Sequence, residues 1–334
     1  MPQLSRDIAG FEGTVWLLDA LLLLLAMLLY LLRQEFWPVA AVTGALLSQL
    51  LISLSWSDAK YGTLLNLFIL AVSIPALAQW RFQEMVAAEA ASLLAHAETT
   101  EVSKMRNLEE LPEIVQKWLE TSGAAAGGEI YNVHLEQLGK MRTSPKGKWM
   151  NFTAEQNFSV NIPGFVWQVK VDAFPGLQLN GRDKLHNGHG EMLIKALGIF
   201  PVADEKGNDK IDSGSLLRYL GEICWFPLAA KASYLNWKAA GPTSAIAQLN
   251  WKDKQVNGTF NFSPQGKLLS FEAIRYYGSG KDARPETWHI DILENAIFEG
   301  VLLPSKCRVT WKLPEGDFTW LELQITSVEY NVSG

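Results

Sequence analysis

Cysteine is scarce in this chain: Cys224 and Cys307 are the only two in 334 residues. Two cysteines cannot build a disulfide framework, and their spacing matches no zinc site. They are either buried free thiols in a β-rich core or a single bridge, and the residues leave both open. Positive charge is also short. The net charge is −6, whereas a general nucleic-acid binder needs a basic face to neutralise phosphates. No G-x-S-x-G elbow occurs, so hydrolysis through an activated serine has no support. Gly188-x-Gly190 lacks the third glycine of a dinucleotide loop, because Leu193 stands in that place. Asp183, His186 and His189 form D-x-x-H-x-x-H, but in a Gly- and Asn-rich turn without a fourth donor. Neither a metal nor a cofactor is expected.

Charge is almost missing between Thr14 and Trp80, and the rest of the chain is an ordinary soluble mixture. Three apolar runs fill that interval: Thr14–Leu32, Phe36–Leu54 and Gly62–Trp80. Each is near the ~20 residues a helix needs to cross a hydrocarbon layer. No small-residue cleavage site follows the first run, so it reads as a span and not as a removable signal. Trp16, Trp37, Trp56 and Trp80 fall at run ends, as interfacial aromatics do. Residues 1–82 are therefore expected to form a three-helix transmembrane anchor with short linkers. Asp19, Gln49 and Asn66 lie at a common depth of roughly 6–9 Å from one side of the bundle. That depth makes them an intramembrane polar cluster, and Gly44-x-x-x-Ser48 suits close helix packing. Arg6 and Lys60 on that side, against Arg33 and Arg81 on the other, lean toward a C-terminal domain outside the cytoplasm.

Residues 83–127 read as a helical stalk followed by a docking helix. Phe82–Ala97 is rich in Ala, Glu and Leu, with Thr99, Thr100 and Ser103 loosening its end. Leu111–Leu119 carries Pro112 at its first turn and one apolar face of Ile114, Val115 and Trp118.

From Gly128 to the end the pattern changes to period two. In Phe165–Val171 the odd positions are apolar and Gln168 and Lys170 point the other way. Cys307–Trp311 and Leu321–Ile325 alternate likewise. About ten strands joined by hairpins, with one short helix at Ser213–Ile223, predict an α+β fold. Its form is a curved, half-barrel-like antiparallel sheet, residues 128–334, with the helix packed in the concave face. Asp212 or Ser213 suits the N-cap, Pro201–Asp204 reads as a turn, and Asn257-Gly258 as a turn inside Gln255–Phe262.

The stretch Gly181–Pro227 concentrates the polar chemistry. Arg182, Arg218 and Arg275 sit beside apolar residues, with Asp183, Asp204, Glu222 and Glu272 available as partners. Arg218 and Glu222 are four apart on one helix and can pair. The arginines form either a structural network or, at one of them, a seat for an anionic head group. Trp167, Trp225 and Phe226 are the candidate apolar wall. Together these nine residues, Trp167, Arg182, Asp183, Asp204, Arg218, Glu222, Trp225, Phe226 and Arg275, make the candidate ligand site.

Several motifs run through most of the chain: Trp56–Thr63, Ala154-Glu-Gln156, Pro163–Trp167, Gly181-Arg-Asp183, Pro201–Asp204, Arg218-Tyr-Leu-x-Glu222 and Trp225-Phe-Pro227. As a set they resemble an uncharacterised bacterial family of membrane-anchored proteins, catalogued as a domain of unknown function. By pattern the β domain is similar to the half-barrels that carry lipoproteins or lipids in bacterial envelopes. The resemblance implies a protein of the bacterial cytoplasmic membrane and assigns no activity. The expectation that follows is a membrane-anchored domain that binds a lipid or other amphipathic ligand at the membrane surface. An envelope enzyme built on the Asp and Glu residues of 181–227 and a scaffold docking a partner protein are the alternatives.

Overall fold

The computed structural model describes residues 10–99, 105–278 and 280–332. Arg6, Thr100 and Ser103 lie outside the described residues. The chain divides into two compact units. One comprises the chain through Met85 together with Ala196–Phe200, and the other comprises Val86–Lys195 and Pro201 onward.

In the first unit, α1 (Gly10–Leu31) and α2 (Trp37–Leu54) are followed by the single turn α3 (Trp56–Ala59) and by α4 (Gly62–Thr99). Helices α1, α2 and α4 are long and apolar enough to cross a membrane. Leu17, Leu21, Leu24 and Leu28 are exposed along α1, a surface that lipid would accept and water would not. A Cβ on Gly44 would come 2.7 Å from Leu23 Cδ2, so α1 and α2 approach through that glycine. The Asn66 amide donates to Gln49 Oε1 at 3.2 Å, and Gln49 Nε2 donates to Thr63 Oγ1 at 3.1 Å. Asp19 is buried beside Ser48 and bonds neither Gln49 nor Asn66; its Oδ1 has no hydrogen-bond partner among the described residues. The runs Gly62–Trp80 and Phe82–Ala97 form one uninterrupted helix of 38 residues, which passes Pro75.

The second unit begins inside α4. From Val86 onward Val86, Leu93, Leu94 and Ala97 are buried on one stripe of the helix. Glu89 on the same segment bonds Lys184 at 2.8 Å and Arg182 at 3.1 Å. The docking helix α5 (Glu113–Thr121) seats Trp118 against Phe260 and Phe262, with ring centroids 5.9 and 5.7 Å away.

Thirteen strands follow. The first six are β1 (Asn132–Met141), β2 (Met150–Ser159), β3 (Gly164–Phe174), β4 (Leu177–His186), β5 (His189–Ala196) and β6 (Phe200–Lys206). Helix α6 (Asp209–Glu222) then leads to β7 (Leu235–Gly241), β8 (Ser244–Trp251), β9 (Lys254–Phe262), β10 (Leu268–Tyr277), β11 (Arg284–Phe298), β12 (Val301–Leu313) and β13 (Gly316–Tyr330). They make one sheet in the order β6-β5-β4-β3-β2-β1-β13-β12-β11-β10-β9-β8-β7. Two meanders are thus joined by the β1–β13 pair, and α6 carries the chain from one edge of the sheet to the other. Helix α6 touches β4 near one edge and β8, β9 and β10 near the opposite edge. A flat sheet cannot bring those strands to one helix, so the sheet curls around α6. The α+β architecture is the one the sequence predicts.

Three local expectations are corrected. Helix α6 starts at Asp209, capped by Asn208, whose Oδ1 accepts from the Lys210 and Ile211 amides at 3.1 and 3.0 Å. Neither Asp212 nor Ser213 is the cap. Pro201–Asp204 is not a turn but most of the edge strand β6, where proline is tolerated because one side of the strand is unpaired. Asn257-Gly258 does not split its run. Both residues lie in β9, and a Cβ on Gly258 would come 2.3 Å from the Phe271 ring, so the glycine is there to admit that ring.

Asp212 joins α6 to the β4–β5 hairpin. Its carboxylate accepts from the Gly190 amide at 2.8 Å, from Lys254 Nζ at 3.0 Å and from His189 Nδ1 at 3.2 Å. Burial alone would raise this carboxyl, but the Gly190 amide, Lys254 and His189 outweigh it and hold it below the usual carboxylate range. A depressed folded value stabilises above the unfolded carboxyl's pKa and is lost as the pH falls through the folded one. Asp212→Asn is therefore expected to destabilise by about 1–3 kcal/mol at pH 7. The gap from wild type should close as the pH falls below the ordinary carboxyl range, as read from urea midpoints across pH. A gap independent of pH would assign the effect to packing.

Candidate functional site

The interior of the curled sheet is set by register. Gln156, Trp167 and Asp183 are direct cross-strand partners on β2, β3 and β4 and so form one row on one face. The row on one side is Phe158, Phe165 and Leu185; the row on the other is Ala154, Val169 and Gly181. A polar row is thus embedded between two apolar ones. Helix α6 lays Arg218 and Glu222, one turn apart, over it.

Arg218 Nη1 donates to Asp183 Oδ2 at 2.7 Å and Nε to Glu222 Oε1 at 2.8 Å. Its guanidinium lies over Trp167 and Phe165, 4.5 and 5.0 Å from the ring centroids. Gln156 Nε2 donates to Glu222 Oε2 at 2.8 Å, Gln137 Nε2 to Gln156 Oε1 at 3.0 Å, and Trp167 Nε1 to Gln137 Oε1 at 3.1 Å. The result is a connected, buried polar network between apolar rows, where each bond reinforces its neighbours. Burial would lower Arg218, yet Glu222 and Asp183 outweigh it and raise its pKa. Burial dominates at Glu222 and, in spite of Arg218 and Gln156, raises its carboxyl above the ordinary range; Asp183 nearby pushes the same way.

Beside this network lies a cavity of about 290 Å³. Its wall is mostly apolar and comes from both meanders and from α6. Trp167, Val169 and Val171 contribute from β3, Trp288 and Ile290 from β11, Val309 from β12, Leu321 and Leu323 from β13, and Met141, Met150 and Met192 add flexible thioether surface. Exposed Thr143 and Val202 are also in the wall, so the cavity reaches the surface there. Cys224 and Cys307 both line it, and both are free thiols. Burial raises both, Cys307 to about 12, so neither is a thiolate at neutral pH.

The nine candidate residues divide. Trp167, Asp183, Arg218, Glu222, Trp225 and Arg275 meet at the cavity. Arg182 borders it, but its guanidinium is committed to Glu89 and to Glu191, at 3.1 and 3.2 Å. Asp204 does not line it: it is exposed on β6, its nearest cation Lys206 at 3.8 Å. Phe226 does not line it either. It is fully buried in the core beneath α6, with the Phe158 ring at 4.9 Å and Tyr219 at 5.8 Å. Trp225 and Phe226 point to different places because the chain leaves α6 through a tight turn, Ile223–Trp225. The D-x-x-H-x-x-H residues also diverge, Asp183 bonding Arg218 and His189 bonding Asp212.

Gln137, Gln156, Trp288 and Trp320 were missed by sequence reasoning. The signal for Gln156 existed. It occupies the apolar parity of β2, between Ala154 and Phe158, and a glutamine on a core-facing position needs partners. Trp288 and Trp320 carried no such mark.

Fold and site together define an α+β protein in which an open antiparallel sheet curls around one helix and leaves a mostly apolar cavity beside a buried ion-pair network. The chain belongs to the DUF6920 family, a family of unknown function, whose profile matches residues 109–330. No curated protein matches it in sequence. Among solved structures, a DUF1329 family protein from Desulfovibrio piger is similar at a TM-score of 0.39 and 10% identity, over 66% of this chain and 93% of that one. A LolA superfamily protein from Nitrosomonas europaea is similar at a TM-score of 0.38 and 8% identity, over 65% and 91%. Scores below 0.5 do not establish a common fold.

Proposed function

We propose that this chain is a membrane-anchored protein whose β-rich unit binds a lipid or other amphipathic ligand. The observation that carries the reading is the cavity: about 290 Å³, walled largely by apolar and aromatic side chains, with a few polar groups at one side. Ligand sites have that composition and span roughly 300–1,000 Å³. An engineered apolar cavity of about 150 Å³ already holds a benzene. The three long apolar helices would anchor the unit in reach of lipid, with residues 1–82 as the anchor, 83–127 as stalk and docking helix, and 128–334 as the binding domain. The anchor would cross the bacterial cytoplasmic membrane several times, with the β-rich unit on the extracytoplasmic side. An enzyme built on the carboxylates of 181–227 is disfavoured, because Asp183 and Glu222 are both held by Arg218 and Asp204 lies apart on β6.

Photocrosslinking tests the reading. The full chain in membranes is supplied with an acyl probe carrying a diazirine at the chain end and a clickable tag. Labelled peptides are expected to map to cavity strands of the β-rich unit. Ile194→Trp and Leu323→Trp, which fill the cavity from two walls, should abolish that labelling while labelling of α1 persists. Equal labelling of the variants, at unchanged unfolding midpoints, would sink the proposal.

A further inference from the structure

Three arginines border the cavity, Arg218 and Arg275 beside α6 and Arg182 from the other face of β4, and among the described residues two of them have partners. Arg182 is held by Glu89 and Glu191, and Arg218 by Asp183 and Glu222. Arg275 makes no hydrogen bond and no ion pair among the described residues. Its register neighbour across β10–β11 is Glu286, but that carboxylate bonds Arg284. Asp183 and Glu222 act on Arg275 only from beyond ion-pair reach, and Arg218 opposes them. A guanidinium carries five N–H donors in a fixed fork, and here the half-buried fork lines the cavity without an acceptor among the described residues.

The fork is nevertheless held in place. It lies over the Trp288 ring, 4.7 Å from the centroid, and against α6 at Gly214, where an added Cβ would come 3.3 Å from its Nε. Arg275 and Trp288 both line the cavity. The indole N–H groups of Trp288 and of Trp320, another wall residue, are buried and have no acceptor among the described residues, although buried indoles ordinarily find one. What the cavity presents is the charged fork of Arg275 beside an apolar space. Burial lowers Arg275 to about 10, with Arg218 adding to the fall, so it stays cationic at neutral pH.

We propose that Arg275, held on the Trp288 ring, is the anion-binding end of the cavity, and that the ligand is a single-chain amphiphile bearing a carboxylate or phosphate. The inference rests on the lipid-binding reading above and narrows it. A volume about twice that which holds a benzene accommodates part or all of one acyl chain, not the two or more of a membrane phospholipid. The anion satisfies the fork in the two-pronged manner that guanidinium and carboxylate or phosphate share.

Native mass spectrometry of the full chain released from detergent micelles tests this with laurate, dodecyl phosphate, dodecanol, and acetate and inorganic phosphate as chainless anions. Laurate and dodecyl phosphate are expected to bind the wild type more tightly than dodecanol. Arg275→Gln should weaken both anions about 10- to 100-fold and leave dodecanol unchanged. Arg275→Lys should restore part of the loss, and Trp288→Phe should weaken the anions by less than Arg275→Gln. Unfolding midpoints within error of wild type exclude a folding effect. If dodecanol binds as tightly as laurate, or falls with it in Arg275→Gln, the anion assignment is wrong and the lipid-binding reading stands. If acetate or inorganic phosphate binds as well as the chained anions, the site takes a small anion and not an amphiphile. If no chained probe binds the wild type, the lipid-binding reading fails and the inference falls with it.

Discussion

Replacing Arg218 by Met is expected to lower the stability of the β-rich unit by about 3–5 kcal/mol. The Arg218, Asp183 and Glu222 side chains are 13%, 12% and 10% exposed, so solvent contributes little to their stabilisation. Removing the cation leaves two carboxylates facing each other in an apolar setting, without the partner that made their burial tolerable. Arg218→Met combined with Asp183→Asn and Glu222→Gln removes all three charges together and is expected to recover most of the loss. A well-packed neutral replacement of a buried ion cluster is often close to neutral. The deficit of Arg218→Met depends on pH with a definite sign. Without the guanidinium the Glu222 carboxyl, already raised by burial, rises further above its unfolded value. The native state then binds more protons than the unfolded state, and stability falls as the pH rises through that window. The gap from wild type should widen from about pH 4 to pH 8. Urea midpoints of the full chain in a fixed detergent, followed by tryptophan emission, read both effects. Trp167 under the guanidinium supplies a local signal. A deficit under about 1 kcal/mol would mean the pair behaves as a solvated surface bridge.

The second large effect falls on a residue that the sequence places in the ligand wall. Phe226→Ala should cost about 3–5 kcal/mol through lost burial and the void left behind. Its ring is fully buried and packed on Phe158 and Tyr219, in the cluster that holds α6 against β2 and β3. The neighbouring Trp225 is different. It lines the cavity, donates its indole N–H to the Pro304 carbonyl at 3.1 Å, and offers its own carbonyl to Tyr330 at 2.7 Å. Trp225→Phe keeps most of the apolar surface and should lower the midpoint far less than Phe226→Ala. The same urea titration separates them. A small effect at Phe226 with a large one at Trp225 would place the structural weight on the cavity wall instead of the core beneath it.

Much of the architecture is legible in the sequence, for local reasons. Charge depletion over Thr14–Trp80 identifies three helices, because a continuous apolar surface has few alternatives. Alternation in Phe165–Val171 assigns faces to β3, because side chains point to opposite sides with period two. The i, i+4 spacing of Arg218 and Glu222 yields an ion pair that forms as expected, at 2.8 Å. Where the reading failed, a distant group decided the matter. Pro201–Asp204 looks like a turn until β5 provides a strand to pair with. Asn257-Gly258 looks like a hairpin until the Phe271 ring needs the space above Gly258. Asp204 and Phe226 seemed equivalent to Asp183 and Trp225 because nothing local distinguishes them.

The sequence by itself determined the class of most segments: apolar helices, alternating strands, one short helix between strands and a set of arginines and carboxylates that burial would force into pairs. It could not determine which of them pair. That choice belongs to the tertiary structure, because the sheet curls and brings β4 and β10, far apart in the strand order, to the same helix α6. Arg218 on α6 takes both nearby carboxylates. Arg182, turned to the other face of β4 by strand parity, takes Glu89 from α4 and Glu191 from β5. Arg275, packed one turn away against Gly214 of the same helix, is left with an aromatic face and no acceptor among the described residues. Coulomb attraction is short-ranged in its useful part, falling within a few ångströms from an ion pair to a weak field. Geometry of that precision comes from packing across the whole sheet and is written in no single stretch of the chain.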